Sequence, residues 1–514
     1  MNHTTQQKLS RRKRRIERRL GRRRLPDQAR RMLATRNIAY EVADRTVALG
    51  SGGIGAIHLM VQNIALPQVI DDCLKLLKFH APYHESDHVL NLAYNVLAGG
   101  TCIQDLELLR NNEAYLNALG AQRIPDPTTA GDFCRRFTTD AQVLLLMECF
   151  NETRLTVWKQ QDESFFDQAI IDADGTLAPT YGECKQGMDL SHDGQWGYHP
   201  LLISLANTKE PLYLVNRSAS RPSHEQADEY LDKAVVLCRK AGFKSILLRG
   251  DTDFEQTWKL DGWDAAGNLT FIFGADACQG LIARARALPD ELWRRLDRPA
   301  PYVVKTEERN KPDNVKEQVV RAKGYKNFVL QWEDVAEFEY RPTLCKRSYR
   351  MIALRKKIAV EQGQERLFEE YRYFFYITND RELSAANVVY SANDRCDQEN
   401  LIEQLKNGVR ALRNPLDNLH SNWAYMVMSS LAWTLKAWCG LLLPVTPGAP
   451  AEGHCQQKRS ILKMEFKSFL NAMVQLPCQI VRTGRRIVYR LLAWNPWAAP
   501  LLRLAEAMRR PLRC

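Results

Sequence analysis

The chain has 514 residues, of which 45% are hydrophobic and 26% charged, and its formal net charge is +12. This composition excludes a wholly disordered protein and allows about three domains. The 13 cysteines are odd in number and form no CxxC pair, and no apolar segment follows the basic start. These features argue against a secreted disulfide protein and predict a cytoplasmic one.

The two ends of the chain are strongly basic. Residues 1–31 carry 13 Lys and Arg against two acidic residues, and residues 479–514 carry 8 Arg against one. Such segments suit a polyanion, because each neutralised phosphate releases condensed counterions. We therefore interpret residues 1–36 as a basic flexible arm, with a solvated tail as the alternative, and residues 446–514 as a basic helical C-terminal region.

Residues 37–160 show the apolar spacing of helices. Turn signals such as the Gly-Gly pair at 99–100 and the Pro-Asp-Pro cluster at 125–127 separate the segments, which predicts a helical N-terminal domain. Because such a domain could hold a helix-turn-helix, we interpret it as a DNA-binding domain. A GxGxxG match at residues 50–55 opens this region. Because no second βαβ unit follows, we favour a flexible lead into the helical domain over nucleotide binding.

Strand patterns begin near residue 161 and predict the first part of an α/β core at 161–257. Four elements support it: the strand AIIDADGT (169–176), a hairpin at 199–219, a helix at 223–242 and the strand SILLRGDTDF (245–254).

Polar alternation then predicts a β-rich insertion domain at residues 258–370. Its strand-like runs include YVVKTEE (302–308) and EQVVRA (317–322), and the alternation is typical of an antiparallel, half-exposed sheet. We expect the core to resume at 371–445, with a buried strand at 372–379 and a helix at 385–412.

One apolar run, residues 423–444, is long enough to cross a bilayer. Lys436 lies in its middle, and two serines and a threonine dilute its apolar character. We therefore predict a buried core helix and no membrane association.

Acidic residues within apolar strands are the first chemical signal. Asp172 and Asp174 lie in one predicted strand, and Asp251 ends another. A lone carboxylate costs several kcal/mol to bury, so such acids require a cation. Asp172 and Asp174 share a strand face because side chains alternate, so both could approach it.

A charged stripe on the predicted helix at 385–412 supplies a third acid. Arg395, Glu399 and Lys406 are spaced by four and seven residues, so they project from one side of the helix. Three converging carboxylates suit Mg²⁺ or Mn²⁺, and a pair of such ions can drive phosphodiester cleavage. Arg395 and Lys406 would then contact phosphates. The alternative is a solvated Arg-Glu pair on a surface helix.

These motifs together resemble the DDE transposases of bacterial insertion sequences, in the cut-and-paste group with a Tyr-Arg-Glu-Lys signature. The matching segments are IDADGT (171–176), LLRGDTDF (247–254) and R-x3-E-x6-K from Arg395 to Lys406. The signature Tyr would stand at position 392, which is Ala, and the nearest tyrosine is Tyr390. Either Tyr390 serves as a phosphate contact, or that contact is missing.

The resemblance implies an RNase H-like core with a mixed five-stranded sheet, interrupted by the β-rich insertion. It assigns Asp174, Asp251 and Glu399 as catalytic ligands of two Mg²⁺ ions, for which Mn²⁺ would substitute, and leaves Asp172 as a possible outer group. The implied reaction is cleavage at terminal inverted repeats and joining of the freed 3′-hydroxyl to target DNA. The implied partners are double-stranded DNA and a second copy of the chain.

Relatives with the insertion often form a hairpin intermediate and hold a flipped base on an aromatic residue. Four tryptophans fall in or beside the insertion, and the sequence does not choose among them: Trp258, Trp263, Trp293 and Trp332.

Two other functions stay open from the residues alone. One is a nuclease of the same fold that does not join strands, and the other is a DNA-binding protein whose acids are structural. In each case we expect a cytoplasmic protein that is associated with the nucleoid when bound to DNA.

Overall fold

The structure is a computed structural model. It describes residues 3–21, 38–40, 47–80, 82–182, 184–298, 315–323, 326–362, 365–483 and 486–512. The predicted strand at 302–308 and most of the second half of the predicted arm lie outside the described residues.

The described helices and strands have the following bounds. The helices are α1 (His3–Leu20), α2 (Ile54–Asn63), α3 (Leu66–Cys73), α4 (Glu85–Ala98), α5 (Leu106–Arg110), α6 (Glu113–Leu119), α7 (Pro127–Arg135), α8 (Asp140–Trp158), α9 (Ala227–Ala241), α10 (Thr257–Ala265), α11 (Gln279–Arg286), α12 (Val315–Ala322), α13 (Ala385–Asn393), α14 (Cys396–Glu403), α15 (Leu419–Leu441), α16 (Ala451–Lys463), α17 (Phe466–Phe469) and α18 (Ala498–Ala507). The strands are β1 (Ala48–Leu49), β2 (Gln168–Gly175), β3 (Ala178–Pro179), β4 (Asp189–Leu190), β5 (Trp196–Tyr198), β6 (Leu201–Leu205), β7 (Glu210–Val215), β8 (Ser245–Gly250), β9 (Leu269–Ala275), β10 (Arg294–Arg295), β11 (Lys326–Tyr340), β12 (Tyr349–Gln362), β13 (Glu365–Thr378), β14 (Cys478–Thr483) and β15 (Arg486–Leu491).

The basic arm begins as a helix, α1, although its charge run led us to expect a flexible segment. The helix buries none of its residues. Arg, Lys and Gln favour helix formation, and one i,i+4 pair joins Lys13 to Glu17 at 3.7 Å. Because the guanidinium groups stand in water, solvent and salt screen their mutual repulsion.

The glycine-rich segment at 50–55 packs the N-terminal helices closely against the C-terminal region. A side chain at Gly53 would stand 1.7 Å from the carbonyl oxygen of Met473, and one at Gly55 would stand 2.3 Å from the Tyr489 ring. The glycines therefore allow close backbone approach. They do so in the helical domain, which the sequence predicted and α2 to α8 form.

A mixed sheet of nine strands forms the centre of the molecule, in the order β10-β11-β12-β13-β9-β8-β2-β6-β7. Strand β2 runs parallel to β8 and antiparallel to β6. Strand β9 is parallel to β8. The predicted strand, hairpin, helix and strand between 161 and 257 are all present, and the mixed α/β class is confirmed.

The boundaries of the β-rich segment differ from the prediction. Strand β9 lies inside the predicted insertion, yet it pairs with β8 as part of the core sheet. The long strands β11, β12 and β13 are antiparallel, as predicted, but they continue the same sheet through the β13 to β9 pairing. The run at 317–322 is helical, in α12. Sequence periodicity could not show this, because strand pairing is decided by distant partners.

The predicted helix at 385–412 is broken. It ends at Asn393, resumes as α14 and continues through a π-helical turn at Gln404–Gly408. The C-terminal region also differs from an all-helical one, because β14 and β15 form a hairpin that pairs with β1 of the N-terminal segment.

Helix α15 is the buried core helix that the sequence predicted for residues 423–444, and no helix among the described residues is long and apolar enough to span a membrane. It is tied to the sheet and to α8 through the buried carboxylate of Glu210. That carboxylate accepts hydrogen bonds from Arg154, Trp158 and Trp438 at 2.9, 3.1 and 2.8 Å. With Thr208 as a fourth donor, the buried charge is well compensated.

Lys436, in the middle of α15, is 1% exposed. Its ammonium donates to the carbonyl oxygen of Leu462 at 2.9 Å and lies 3.7 Å from the centre of the Trp433 ring. No acid pairs with it among the described residues, and burial lowers its pKa to about 7. The protein therefore holds a poorly compensated buried cation.

Lys436→Met is expected to stabilise the protein at neutral pH by about 1–4 kcal/mol, because it removes a buried charge while keeping the side-chain volume. The folded-state pKa lies below the unfolded one, so the unfolded chain binds more protons between about pH 7 and pH 10, and wild-type stability rises with pH in that window. The gain in melting temperature over wild type should therefore shrink as pH is raised from 7 to about 10. A gain that is independent of pH would contradict this account.

Candidate active site

Two acids stand side by side at one edge of the central sheet. Asp174 is the penultimate residue of β2, and Asp251 directly follows β8. The two strands are parallel neighbours, with Asp172 opposite Arg249, so residues two positions further along also face each other. The structure thus brings together two of the three predicted catalytic acids.

The guanidinium of Arg395 lies between these two acids. Its Nη1 is 3.1 Å from Asp174 Oδ2, and its Nη2 is 3.8 Å from Asp251 Oδ2. Burial raises the pKa of Asp174 to about 6, with Arg395 opposing the rise and the charges of Asp251 and Glu399 adding to it. Burial likewise raises the pKa of Asp251. The two acids therefore form an anionic pocket, which the Arg395 guanidinium occupies in this structure.

Glu399 stands on α14 beside the acids without touching them. It is exposed and makes neither a hydrogen bond nor an ion pair with any described residue. Its charge nevertheless raises the pKa of both Asp174 and Asp251. In the part of the chain that the structure describes, no three His, Cys, Asp or Glu side chains converge closely enough to hold one ion. Glu399 as the third ligand thus stays a prediction.

The other two predicted phosphate-binding residues are Lys406 and Tyr390, and of these Lys406 lies near the acids whereas Tyr390 bonds to another segment. Lys406 is half-buried, burial lowers its pKa, and the charge of Asp174 acts on it, so it belongs to the site. Tyr390 instead donates its hydroxyl to the carbonyl oxygen of Asp297 at 2.5 Å. Position 392, where the resemblance expects tyrosine, lines a cavity beside Asp251.

Asp172 is held by a buried arginine. Arg249 donates from Nε and Nη2 to its two carboxylate oxygens at 2.7 and 2.8 Å, and both residues are buried. A third nitrogen of Arg249 donates to the carbonyl oxygen of Ser391 in α13 at 2.8 Å. This arginine therefore joins β2, β8 and the helical segment that precedes Arg395.

Gln398 fixes α14 on the sheet. It is 2% exposed, and its amide donates to the carbonyl oxygen of Leu202 at 3.2 Å while its oxygen accepts from the hydroxyl of Ser204. The helix that carries Glu399 is thereby anchored to β6. Sequence reasoning missed Gln398 and Arg249, although a polar residue in an apolar strand or on the inner face of a helix is the signal that finds both.

Comparison with known proteins assigns the family. The sequence model of the family described as Transposase DDE domain group 1 matches residues 36–512, almost the whole chain. The chain belongs to this family of DDE transposases. No curated protein matches it. Among solved structures, it is similar to the chain of a piggyBac transposase in a cryo-EM structure of the synaptic complex with hairpin DNA. That pair has 10% identity and a TM-score of 0.33, and the match covers 82% of this chain and 81% of the other.

In this DDE transposase, the Asp251 carboxylate also borders a cavity of about 290 Å³. The cavity lies between the ends of β8 and β9, the aromatic segment Tyr373 to Tyr376 of β13, and the start of α14. Ala392, at the position where the resemblance expects tyrosine, contributes a methyl group to the lining of this cavity.

The four tryptophans of the transposase's β-rich segment fall into two groups. Trp263 and Trp258 each donate to an acid of α9, at 2.8 and 3.3 Å. Trp293 and Trp332 lie together on the sheet, with the Arg355 guanidinium 4.1 and 5.7 Å from their ring centres. Such cation–π contacts place positive charge and aromatic faces on one surface.

His199 is a further residue near the acids that the sequence did not indicate. A side-chain carbon at Gly175, which follows Asp174, would lie 3.2 Å from its Nε2. Its Nδ1 lies 3.1 Å from the carbonyl oxygen of Arg221, and burial lowers its pKa. The imidazole therefore forms a neutral wall next to the acidic pocket.

Proposed function

We propose that the chain is the transposase of a bacterial insertion sequence, which cuts DNA at the terminal inverted repeats and joins the freed 3′-hydroxyl to target DNA. The observation that supports this most is the convergence of Asp174 and Asp251 on one cationic group, with the charge of Glu399 acting on both. The family shows the transposase class, and the geometry of the two aspartates supports the proposed reacting centre.

We also propose that the core is RNase H-like. The support is the strand order itself. In chain order, the first three strands of the core, β2, β6 and β7, form an antiparallel unit, and β8 and β9 then add in parallel on the other side of β2. These five strands form a mixed unit within the nine-stranded sheet, and a helix, α9, lies between the third and fourth of them in the chain.

The donor set fits Mg²⁺ or Mn²⁺, because Asp174 and Asp251 offer hard oxygen ligands at a pocket that attracts a cation. Two such ions would activate a water or a 3′-hydroxyl and stabilise the leaving oxygen. Asp174 and Asp251 hold fixed positions at strand ends, whereas the exposed side chain of Glu399 is free to turn toward them. Asp172 acts indirectly, since Arg249 holds it in the sheet.

Arg395 and Lys406 are the proposed phosphate contacts. Asp174 and Asp251 would hold the divalent ions, and Arg395, which pairs with both acids in this structure, would then pair with a DNA phosphate. Lys406 is half-buried beside Asp174 and places a second positive charge on the same side. A role for Tyr390 would require its hydroxyl to leave Asp297.

The proposed partners are two DNA ends and a target duplex. The basic arm and the C-terminal region supply counter-charge for the phosphates. Because two ends must be paired before joining, we propose a homodimer in the DNA complex, in a bacterial cytoplasm where the protein associates with the nucleoid.

The test is a cleavage and joining assay with the DNA that flanks the coding region. We expect a duplex carrying one terminal repeat to be cut in Mg²⁺ or Mn²⁺ and left intact in EDTA, and the cut end to be joined to a supercoiled plasmid. Cleavage without joining would favour the nuclease alternative. Binding without cleavage in either metal would favour a non-catalytic DNA-binding protein.

A further inference from the structure

A second cavity, of about 680 Å³, lies beside the end of β7. It is bounded by the end of α7, the starts of α8 and α15, and the segment that follows β7. None of the three catalytic acids lines it. Neither the sequence motifs nor the proposed reaction gives this cavity a role.

Two long helices begin at this cavity. Helix α8 has 19 residues and starts at Asp140, and α15 has 23 residues and starts after its N-cap, Asn418. The first turn of a helix leaves backbone N–H groups without helical partners, and the aligned peptide dipoles give that end about half a positive charge. Both helix starts therefore favour an anion in the cavity.

A buried arginine that lines the same cavity has an unpartnered nitrogen. Arg217 is 5% exposed; its Nε donates to the carbonyl oxygen of His199, and its Nη1 donates to three carbonyl oxygens of the segment 222–225. Its Nη2 is buried and has no hydrogen-bond partner among the described residues. Burial lowers the pKa of Arg217 to about 10. A buried charged donor without an acceptor is costly, and a bound anion would supply that acceptor.

The other charged groups of the cavity are paired at its surface. Arg221 pairs with Glu225 at 3.1 Å, and His420 lies 2.8 Å from Asp140. Arg135 pairs with two acids nearby. Glu225, whose charge acts on Arg217, has one buried oxygen without a hydrogen-bond partner among the described residues and would oppose an anion. The cavity lining still carries three arginines against Asp140 and Glu225, and exposed pairs exchange partners at small cost.

His199 connects Arg217 with the strand end that carries Asp174, although it does not itself line the cavity. Its ring lies beside Gly175, its carbonyl oxygen accepts from Arg217, and its N–H donates to the Arg217 carbonyl oxygen at 2.7 Å. His199 therefore lies between Arg217 and the glycine that follows Asp174.

We propose that this cavity binds a backbone phosphate of the DNA strand, next to the scissile phosphate, through Arg217 and the first turns of α8 and α15. The proposal rests on the proposed function, since it assigns a further contact to the same DNA substrate. A phosphodiester meets the chemistry of the site, because it carries one negative charge and two free oxygens that accept hydrogen bonds.

The test uses Asn418→Asp in the full chain. Aspartate caps a helix as well as asparagine does, so α15 should form normally, but the new carboxylate stands at the cavity. We expect the affinity for a duplex with one terminal repeat, measured without cleavage, to fall about 10-fold. The slope of log affinity against log salt concentration should fall by about one. The control is Asn268→Asp, which adds the same charge at an exposed turn residue before β9, at the end of the sheet opposite the acids, and for which no loss is expected.

The DNA side of the same contact is tested with methylphosphonates, which remove the charge of one phosphate at a time. At one position beside the scissile phosphate, the methylphosphonate should weaken DNA binding by the wild type. At that position, the wild type and Asn418→Asp should bind DNA with equal affinity. The proposal would be overturned if Asn418→Asp bound DNA with the affinity of the wild type. It would also be overturned if the variant bound more weakly and no methylphosphonate position removed the difference. If inorganic phosphate raises the melting temperature of the wild type alone while no DNA position couples, the site takes free phosphate and the DNA assignment is wrong.

These outcomes are independent of catalysis. If one methylphosphonate position removes the difference between wild type and Asn418→Asp but the protein never cuts DNA, the proposed function is wrong and the phosphate site remains supported. If the protein cuts and joins DNA but no position removes that difference, the phosphate site is wrong and the proposed function remains supported.

Discussion

Asp251→Asn is expected to reduce cleavage of a terminal-repeat duplex by at least about 1,000-fold, because losing one carboxylate ligand removes several kcal/mol of charge stabilisation from the reacting centre. The amide keeps the size of the side chain and can still accept from the N–H of Asp253, as Oδ1 does at 3.0 Å. The local fold should therefore survive, and DNA binding should stay within a few-fold of wild type. The measurement is single-turnover cleavage in Mg²⁺ alongside equilibrium binding to uncleaved DNA.

Asp253→Asn provides the matched control for that variant. Asp253 is an exposed acid two residues further on, and its charge acts on Asp251 without touching Arg395. Its change to Asn should alter cleavage only a few-fold. Equal losses in both variants would mean that the general negative potential matters and that Asp251 holds no ion.

The same assay decides the role of Glu399. Glu399→Gln should match the loss seen for Asp251→Asn, although the structure shows no direct contact between Glu399 and the other acids. If Glu399→Gln cleaves as well as wild type, the third ligand is another residue, and the prediction from the Arg-Glu-Lys spacing is wrong.

Arg249→Met should destabilise the protein by about 3–5 kcal/mol, which is the expected cost of leaving the buried Asp172 carboxylate without its partner. The variant also loses the hydrogen bond to Ser391, so cleavage should fall even at temperatures where the protein is folded. Thermal unfolding and cleavage at a low temperature measure the two effects separately.

The double variant Asp172→Leu, Arg249→Met tests the cause of that loss. Replacing both members of a buried ion pair by apolar residues removes the uncompensated charge, so the double variant should be more stable than Arg249→Met alone. Arg110→Met, which breaks an exposed pair with Glu107, should change stability by less than about 1 kcal/mol. A double variant less stable than Arg249→Met would show that packing, and not charge, dominates.

Local patterns predicted most of the core elements. Four elements were predicted correctly: the strand that carries Asp174, the hairpin that follows it, α9 and the strand before Asp251. The alternation and turn residues that define each of them are contiguous in sequence. The apolar face of the helix at 385–412 was predicted, but its break at Asn393 was not. Directly after the break, Arg395 contacts acids of two strands that are far away in sequence.

The site could be predicted only in part for the same reason. The sequence singled out Asp174, Asp251 and Arg395, which the structure brings together, since a carboxylate within an apolar strand is rare enough to be noticed. It could not indicate that Arg395 bridges Asp174 and Asp251, that Tyr390 bonds to Asp297, or that Asp172 is held by Arg249.

The amino-acid sequence by itself indicated most elements of the core, the candidate acidic residues and the resemblance to DDE transposases, because these follow from residue types within short segments. Only the tertiary structure decided that β9 belongs to the core sheet, that β11 to β13 extend it, and that the acids meet around one guanidinium. Those outcomes depend on hydrogen bonds and charges between residues as far apart as 174 and 395, and no local pattern encodes which distant partners will meet.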